Sequence, residues 1–90
     1  MKRIEYYTLL GWEAEVIFKA RREGNGDHES EYEIYSFFCG QKVVRRSTDR
    51  ALYSELHEHF EEHDDFSCWA ENVEQGMIEE LEEGASDSDD

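Results

Sequence analysis

The sequence predicts an α+β domain: an antiparallel three- to four-stranded meander, then two acidic amphipathic helices on one sheet face, then a disordered acidic tail. Three observations predict it. Apolar residues alternate with polar ones through residues 12–39, with glycine-containing turn sequences at 24–27 and 40–41. From residue 49 onward the apolar period changes from two to about four. The charge changes at the same place. Residues 1–48 hold eight Lys/Arg against eight Asp/Glu, whereas residues 49–90 hold Arg50 alone against sixteen acids, the whole of the net −15. Ninety residues suffice for one domain, expected over 1–83, with 84–90 as the tail.

Taken in order, residues 3–10 form a strand with Ile4, Tyr6, Thr8 and Leu10 on one side, and Gly11 makes a bulge or corner. Residues 12–20 place Trp12, Ala14, Val16, Phe18 and Ala20 on one face and Glu13, Glu15 and Lys19 on the other. The alternative is a helix over 13–23 closed by Gly24, which the alternation disfavours. Asn25-Gly26 is the two-residue hairpin signal, because a type I′ turn needs positive φ at both central positions. That turn pairs Arg22 with Glu29, Ile17 with Ile34, Val16 with Tyr35 and Ala14 with Phe37 in a returning strand over 31–39. Phe18 against Glu33 is the poorest match in this register. Ile17, Tyr32, Ile34 and Phe38 would then form a second apolar face, a possible homodimer surface. Gly40-Gln41 suits a II′ turn into a strand over 42–46, with Phe37 against Val44. The doublets Arg21-Arg22 and Arg45-Arg46 would meet near one sheet end.

Ser47-Thr48-Asp49 is a run of N-cap residues, and Leu52, Leu56 and Phe60 follow at four-residue spacing, so a helix of about 15 residues starts there. Asp64, Asp65 and Ser67 interrupt it and cap a second helix. Its apolar stripe is Cys68 or Trp69, Val73, Met77 or Ile78, and Leu81, with Gly76 as a weak point. Residues 84–90 are too polar to pack.

Chemistry is sparse in this sequence. It has no GxSxG, no glycine-rich phosphate loop and no defensible Ser/His/Asp order, and carboxylates on exposed helices do not have their pKa values pushed apart as catalysis requires. A non-enzymatic protein is expected, with no cofactor. His57, His59 and His63 do not make HExxH. A metal-responsive domain using His59 and His63 with Cys39 or Cys68 and Asp64 is an alternative reading, although histidines among acids titrate more readily than they ligate. The two cysteines read as buried free thiols of a cytoplasmic protein. No apolar run spans a bilayer, no signal peptide is legible, and an anionic membrane surface would repel the chain. Tyr32, Tyr35, Phe37 and Phe38 suggest an RNA-binding sheet, but the net charge opposes direct nucleic-acid binding.

The informative feature is therefore the acidic half. Glu55, Glu58, Glu62 and Asp65 recur at i, i+3, i+7 and i+10, and Glu71, Glu74, Glu79 and Glu82 follow on the second helix. Such segregation costs stability through self-repulsion. A basic partner would account for it: the carboxylates stand where phosphates would and block a nucleic-acid-binding protein. Phage counter-defence inhibitors of restriction or CRISPR effectors act in this way. Alternatives are an antitoxin-like acidic subunit of one dedicated basic protein, or a halophile's solvated surface. The halophile reading sits poorly with the balanced sheet half.

Overall fold

A computed structural model describes residues 1–23 and 26–87, with side chains as far as Glu82. Four antiparallel strands, β1 (Lys2–Leu9), β2 (Trp12–Arg22), β3 (His28–Cys39) and β4 (Lys42–Arg45), lie in sequence order in one sheet. Helices α1 (Arg50–Glu62) and α2 (Asp64–Asp87) follow. The expected α+β architecture is the one observed. Helix α2 runs unbroken through Gly76 and through 84–87, where the sequence predicts tail. Each residue added to an existing helix gains a backbone hydrogen bond without a new nucleation cost. Residues 88–90 lie outside the described residues.

The helices cover one sheet face. Ala14, Val16, Phe18 and Ala20 of β2 are buried against them, with Ile34, Phe37 and Val44 from β3 and β4. Helix α1 contributes Leu56 and Phe60, and α2 contributes Phe66, Ala70 and Met77. Phe66 is the hub, with ring centroids 5.4–6.0 Å from Tyr7, Phe60, Trp69 and Tyr32, three of them edge-to-face at 70–86° and the Trp69 contact tilted at 41°. Offset and edge-on geometry suits the ring quadrupoles.

A β-bulge revises the predicted register. Ala14 pairs with Phe37 and Val44 with Phe37, as expected, but Val16 pairs with Ile34 rather than Tyr35, and Ile17 with Glu33. Tyr35 is the extra residue of β3 and is about half exposed, not buried. The shift brings Phe18 opposite Tyr32 and removes the Phe18–Glu33 mismatch. It also turns Tyr32 and Ile34 toward the helices, so the second face drawn from Ile17, Tyr32, Ile34 and Phe38 does not form as such. Beyond the bulge Arg22 pairs with His28, a register that a two-residue Asn25-Gly26 turn does not close. Instead, Glu23 N–H donates to Asp27 O (2.7 Å), Gly26 N–H donates to Glu23 O (3.1 Å), and Gly26 takes φ +89°. Gly24 and Asn25 lie outside the described residues.

Strand β1 is also displaced from expectation. Leu9 pairs with Trp12, so Leu10-Gly11 is a tight turn, and Tyr7 and Leu9, not the even-numbered residues, face the helices. Both turn residues have positive φ, +55° and +81°, the type I′ pattern. Gly11 suits this conformation; Leu10 does not, and its side chain is 74 % exposed. Leu10→Asn is expected to raise the melting temperature by roughly 4–8 °C, the equivalent of about 1 kcal/mol. Thermal denaturation followed by circular dichroism checks this, and a lower melting temperature would place a compensating contact at Leu10. Gly40-Gln41 behaves as predicted, with positive φ at Gly40 only, the II′ pattern.

The arginine doublets stay apart. Arg21 and Arg22 sit at the hairpin end beside Glu29 and His28, whereas Arg45 pairs with Ser36, seven residues along β3. Arg45 Nε donates to Ser36 Oγ (3.0 Å), and its guanidinium lies 5.5 Å from the Tyr35 ring centre. Arg21 is held by Glu29 (3.0 Å) and Glu23 (3.2 Å).

Candidate partner-binding surface

Helix α1 starts where the N-cap run predicts. The Asp49 carboxylate accepts from Leu52 N–H (3.1 Å), satisfying one of the orphan amides of the first turn. The helix ends at Glu62, and His63 caps it in an extended conformation (φ −83°, ψ 121°). That single residue splits the predicted stripe: Glu55, Glu58 and Glu62 lie on α1, but Asp65 belongs to the first turn of α2. There Asp64 and Asp65 face the positive end of the helix dipole. The break also removes the shared helix face expected for His59 and His63. Among the described residues no three His, Cys, Asp or Glu side chains gather as a metal site. Cys39 and Cys68 are free thiols, but both are exposed rather than buried.

Hydrogen-bond partners divide the carboxylates into two sets. Glu61, Glu74 and Glu80 flank the helices and hold them to the sheet. Tyr32 Oη donates to Glu61 Oε2 (2.9 Å), Ser30 Oγ donates to Glu74 Oε2 (2.7 Å), and Arg3 Nη2 donates to Glu80 Oε2 (2.5 Å). Glu82 lies 3.8 Å from His28 Nδ1. Glu74, singled out from the sequence as a partner-binding residue, is thus half-buried and already engaged. The sheet partners of Glu61 and Glu80 are not legible in the sequence, because the helix periodicity places these residues beside the apolar stripe without saying what lies beneath.

Glu55, Glu58, Glu62, Asp65, Glu71 and Glu79 form the other set. All are exposed, and among the described residues none has a hydrogen bond or ion pair to another side chain. Glu55, Glu58 and Glu62 fall within about 60° of one another around α1, at roughly 100° per residue. No Lys or Arg occurs in residues 51–82 to neutralise them.

No family model matches the chain, and neither a curated protein nor a solved structure matches it significantly.

An open dish of about 560 Å³ lies at the hairpin end of the sheet and mixes Lys2, Lys19 and Arg21 with Glu29, Ser30 and Glu31. Among the described residues no helix is long and apolar enough to cross a membrane.

The tie between Tyr32 and Glu61 has a titration consequence. Burial, then the hydrogen bond to Glu61, then the charges of Glu61 and Glu74 push the Tyr32 phenol up to about 12. An unfolded tyrosine ionises near 10. The folded state therefore keeps a proton that the unfolded state has lost, and stability present below about pH 10 declines as pH rises toward 12. Burial raises Tyr53 in the same direction. Tyr32→Phe should flatten the decline of melting temperature between pH 10 and 12. An unchanged slope would mean that other groups set it.

Proposed function

We propose that this chain is a non-enzymatic inhibitor that binds a basic, nucleic-acid-binding protein through the exposed carboxylates of α1 and α2. One observation carries the reading: Glu61, Glu74 and Glu80 are used by the fold, whereas among the described residues Glu55, Glu58, Glu62, Asp65, Glu71 and Glu79 have no side-chain partner. Carboxylates placed only for folding would have partners, and acids placed only for solubility would have no reason to be balanced by bases in the sheet half and unbalanced in the helical half. Glu55 to Glu62 spans about 10 Å of helix, over which one DNA strand presents about three phosphates. Three fixed carboxylates over that length suit a groove lined with Lys and Arg. The protein itself does not bind nucleic acid or membrane, and it works in the cytoplasm in the manner of phage anti-restriction or anti-CRISPR inhibitors. No cofactor or bound metal enters this reading.

Competition tests it. The tagged protein is used to capture partners from nuclease-treated lysate at about 0.1 M salt, where the Debye length is roughly 10 Å, and eluted at about 1 M, where it is roughly 3 Å. The reading expects one stoichiometric basic protein, released by salt and displaced by added duplex DNA. A captured protein that DNA does not displace would favour a dedicated acidic subunit of the antitoxin type. Capture of nothing at either salt would return the acids to solubility or salt adaptation.

A further inference from the structure

We infer that β1 is a self-pairing edge, joining antiparallel to β1 of a second copy about Ile4, with each Arg3 facing Glu5 of the other copy. Strand β1 is an outer strand of the sheet. Met1 N–H donates to Ala20 O (2.7 Å) and Met1 O accepts from Ala20 N–H (2.9 Å), so Met1 and Ala20 form a hydrogen-bonded pair. Alternation along an antiparallel ladder puts Arg3, Glu5, Tyr7 and Leu9 in the same class, their amides turned toward β2. The N–H and C=O groups of Lys2, Ile4, Tyr6 and Thr8 therefore point out at the free edge.

Self-pairing must keep each face continuous, so even-numbered residues must oppose even-numbered ones. Four centres then pair at least five residues of β1, and of these Tyr7 sets Glu5 against Leu9 and leaves Arg3 outside the paired segment. Centring on Glu5 sets Glu5 against Glu5, like charges directly opposed. Centring on Tyr6 sets Arg3 against Leu9 and Glu5 against Tyr7, leaving both charges unmatched. Centring on Ile4 sets Ile4 on Ile4, Lys2 beside the Tyr6 ring twice, and Arg3 against Glu5 twice. Glu5 is half-buried and, among the described residues, has neither a hydrogen bond nor an ion pair, so this register supplies the cation its carboxylate lacks. Arg3, bound to Glu80 through Nη2, retains further donors for it. Charges on an edge strand normally discourage pairing. Here they discourage every register but one, and the arrangement is isologous, as a twofold dimer requires.

The twofold would run perpendicular to the sheet, so the eight-stranded result carries all four helices on one face. Combined with the inhibitor reading above, it doubles the length of the carboxylate array, although the pairing itself does not depend on that reading.

Sedimentation equilibrium of the full chain tests the inference from micromolar to near-millimolar concentration, at about 0.1 and 1 M salt. The expected result is concentration-dependent doubling of mass, stronger at high salt because two chains of net charge −15 repel. Ile4→Pro removes an edge-facing N–H that the monomer does not use, so it should leave the fold intact and weaken association at least tenfold. Glu5→Arg should do the same by opposing Arg3 with a like charge. A wild-type chain that stays monomeric throughout, or a dimer indifferent to Ile4→Pro, would overturn the assignment.

Discussion

Phe66→Ala is expected to lower the melting temperature by roughly 15–30 °C. Phe66 is fully buried and touches four other rings drawn from β1, β3, α1 and α2. Truncating a buried phenylalanine costs about 3–5 kcal/mol, from lost transfer energy and the cavity left behind. A domain of this size holds only about 5–15 kcal/mol in total. The cavity would lie between two layers that meet chiefly through this cluster, so collapse around it is limited. Thermal unfolding followed by near- and far-ultraviolet circular dichroism gives the shift. A fall below about 5 °C would mean that the aromatic cluster does not join the layers as described.

The triple substitution Glu55→Lys, Glu58→Lys and Glu62→Lys should weaken target binding at least a hundredfold, about 3 kcal/mol, without harming the fold. All three side chains are exposed and none has a partner to lose. Reversing them relieves repulsion along α1, so the melting temperature should hold or rise. The parent complex should weaken with salt because its attraction is largely electrostatic, whereas any residual binding by the variant should depend on salt far less. Titration calorimetry or surface-bound capture at two salt concentrations measures both. Undiminished binding would remove α1 from the interface. Glu74 makes a useful contrast. Because Ser30 uses it, Glu74→Lys should cost stability, and a binding defect there would be confounded by a folding defect.

Much of the fold was legible in local sequence. The alternation in β2, the II′ glycine at Gly40, the Asp49 cap and the four-residue spacing of Leu52, Leu56 and Phe60 each reflect chemistry within a few residues. Errors entered where a distant contact decided. A two-residue Asn-Gly turn was the favoured local choice, and it set a register that would have exposed Ile34 and buried Tyr35. The bulge reverses both, because burying Tyr32, Ile34 and Phe37 together against α1 and α2 outweighs an ideal turn. Likewise, the even-numbered alternation places Leu10 in a strand, whereas pairing of Leu9 with Trp12 makes it a turn residue.

For the candidate surface the division is similar. Sequence alone determined that the second half is acidic, helical and free of bases, because charge and periodicity are carried by the residues themselves. Only the tertiary structure decided which carboxylates are free. Glu61, Glu74 and Glu80 differ from Glu55, Glu58 and Glu62 in what the sheet offers each: Tyr32, Ser30 and Arg3 come within hydrogen-bond reach of the first three from strands 29 to 77 residues away in the chain. A carboxylate's partner is a property of the packed layers, and no spacing along one helix encodes it.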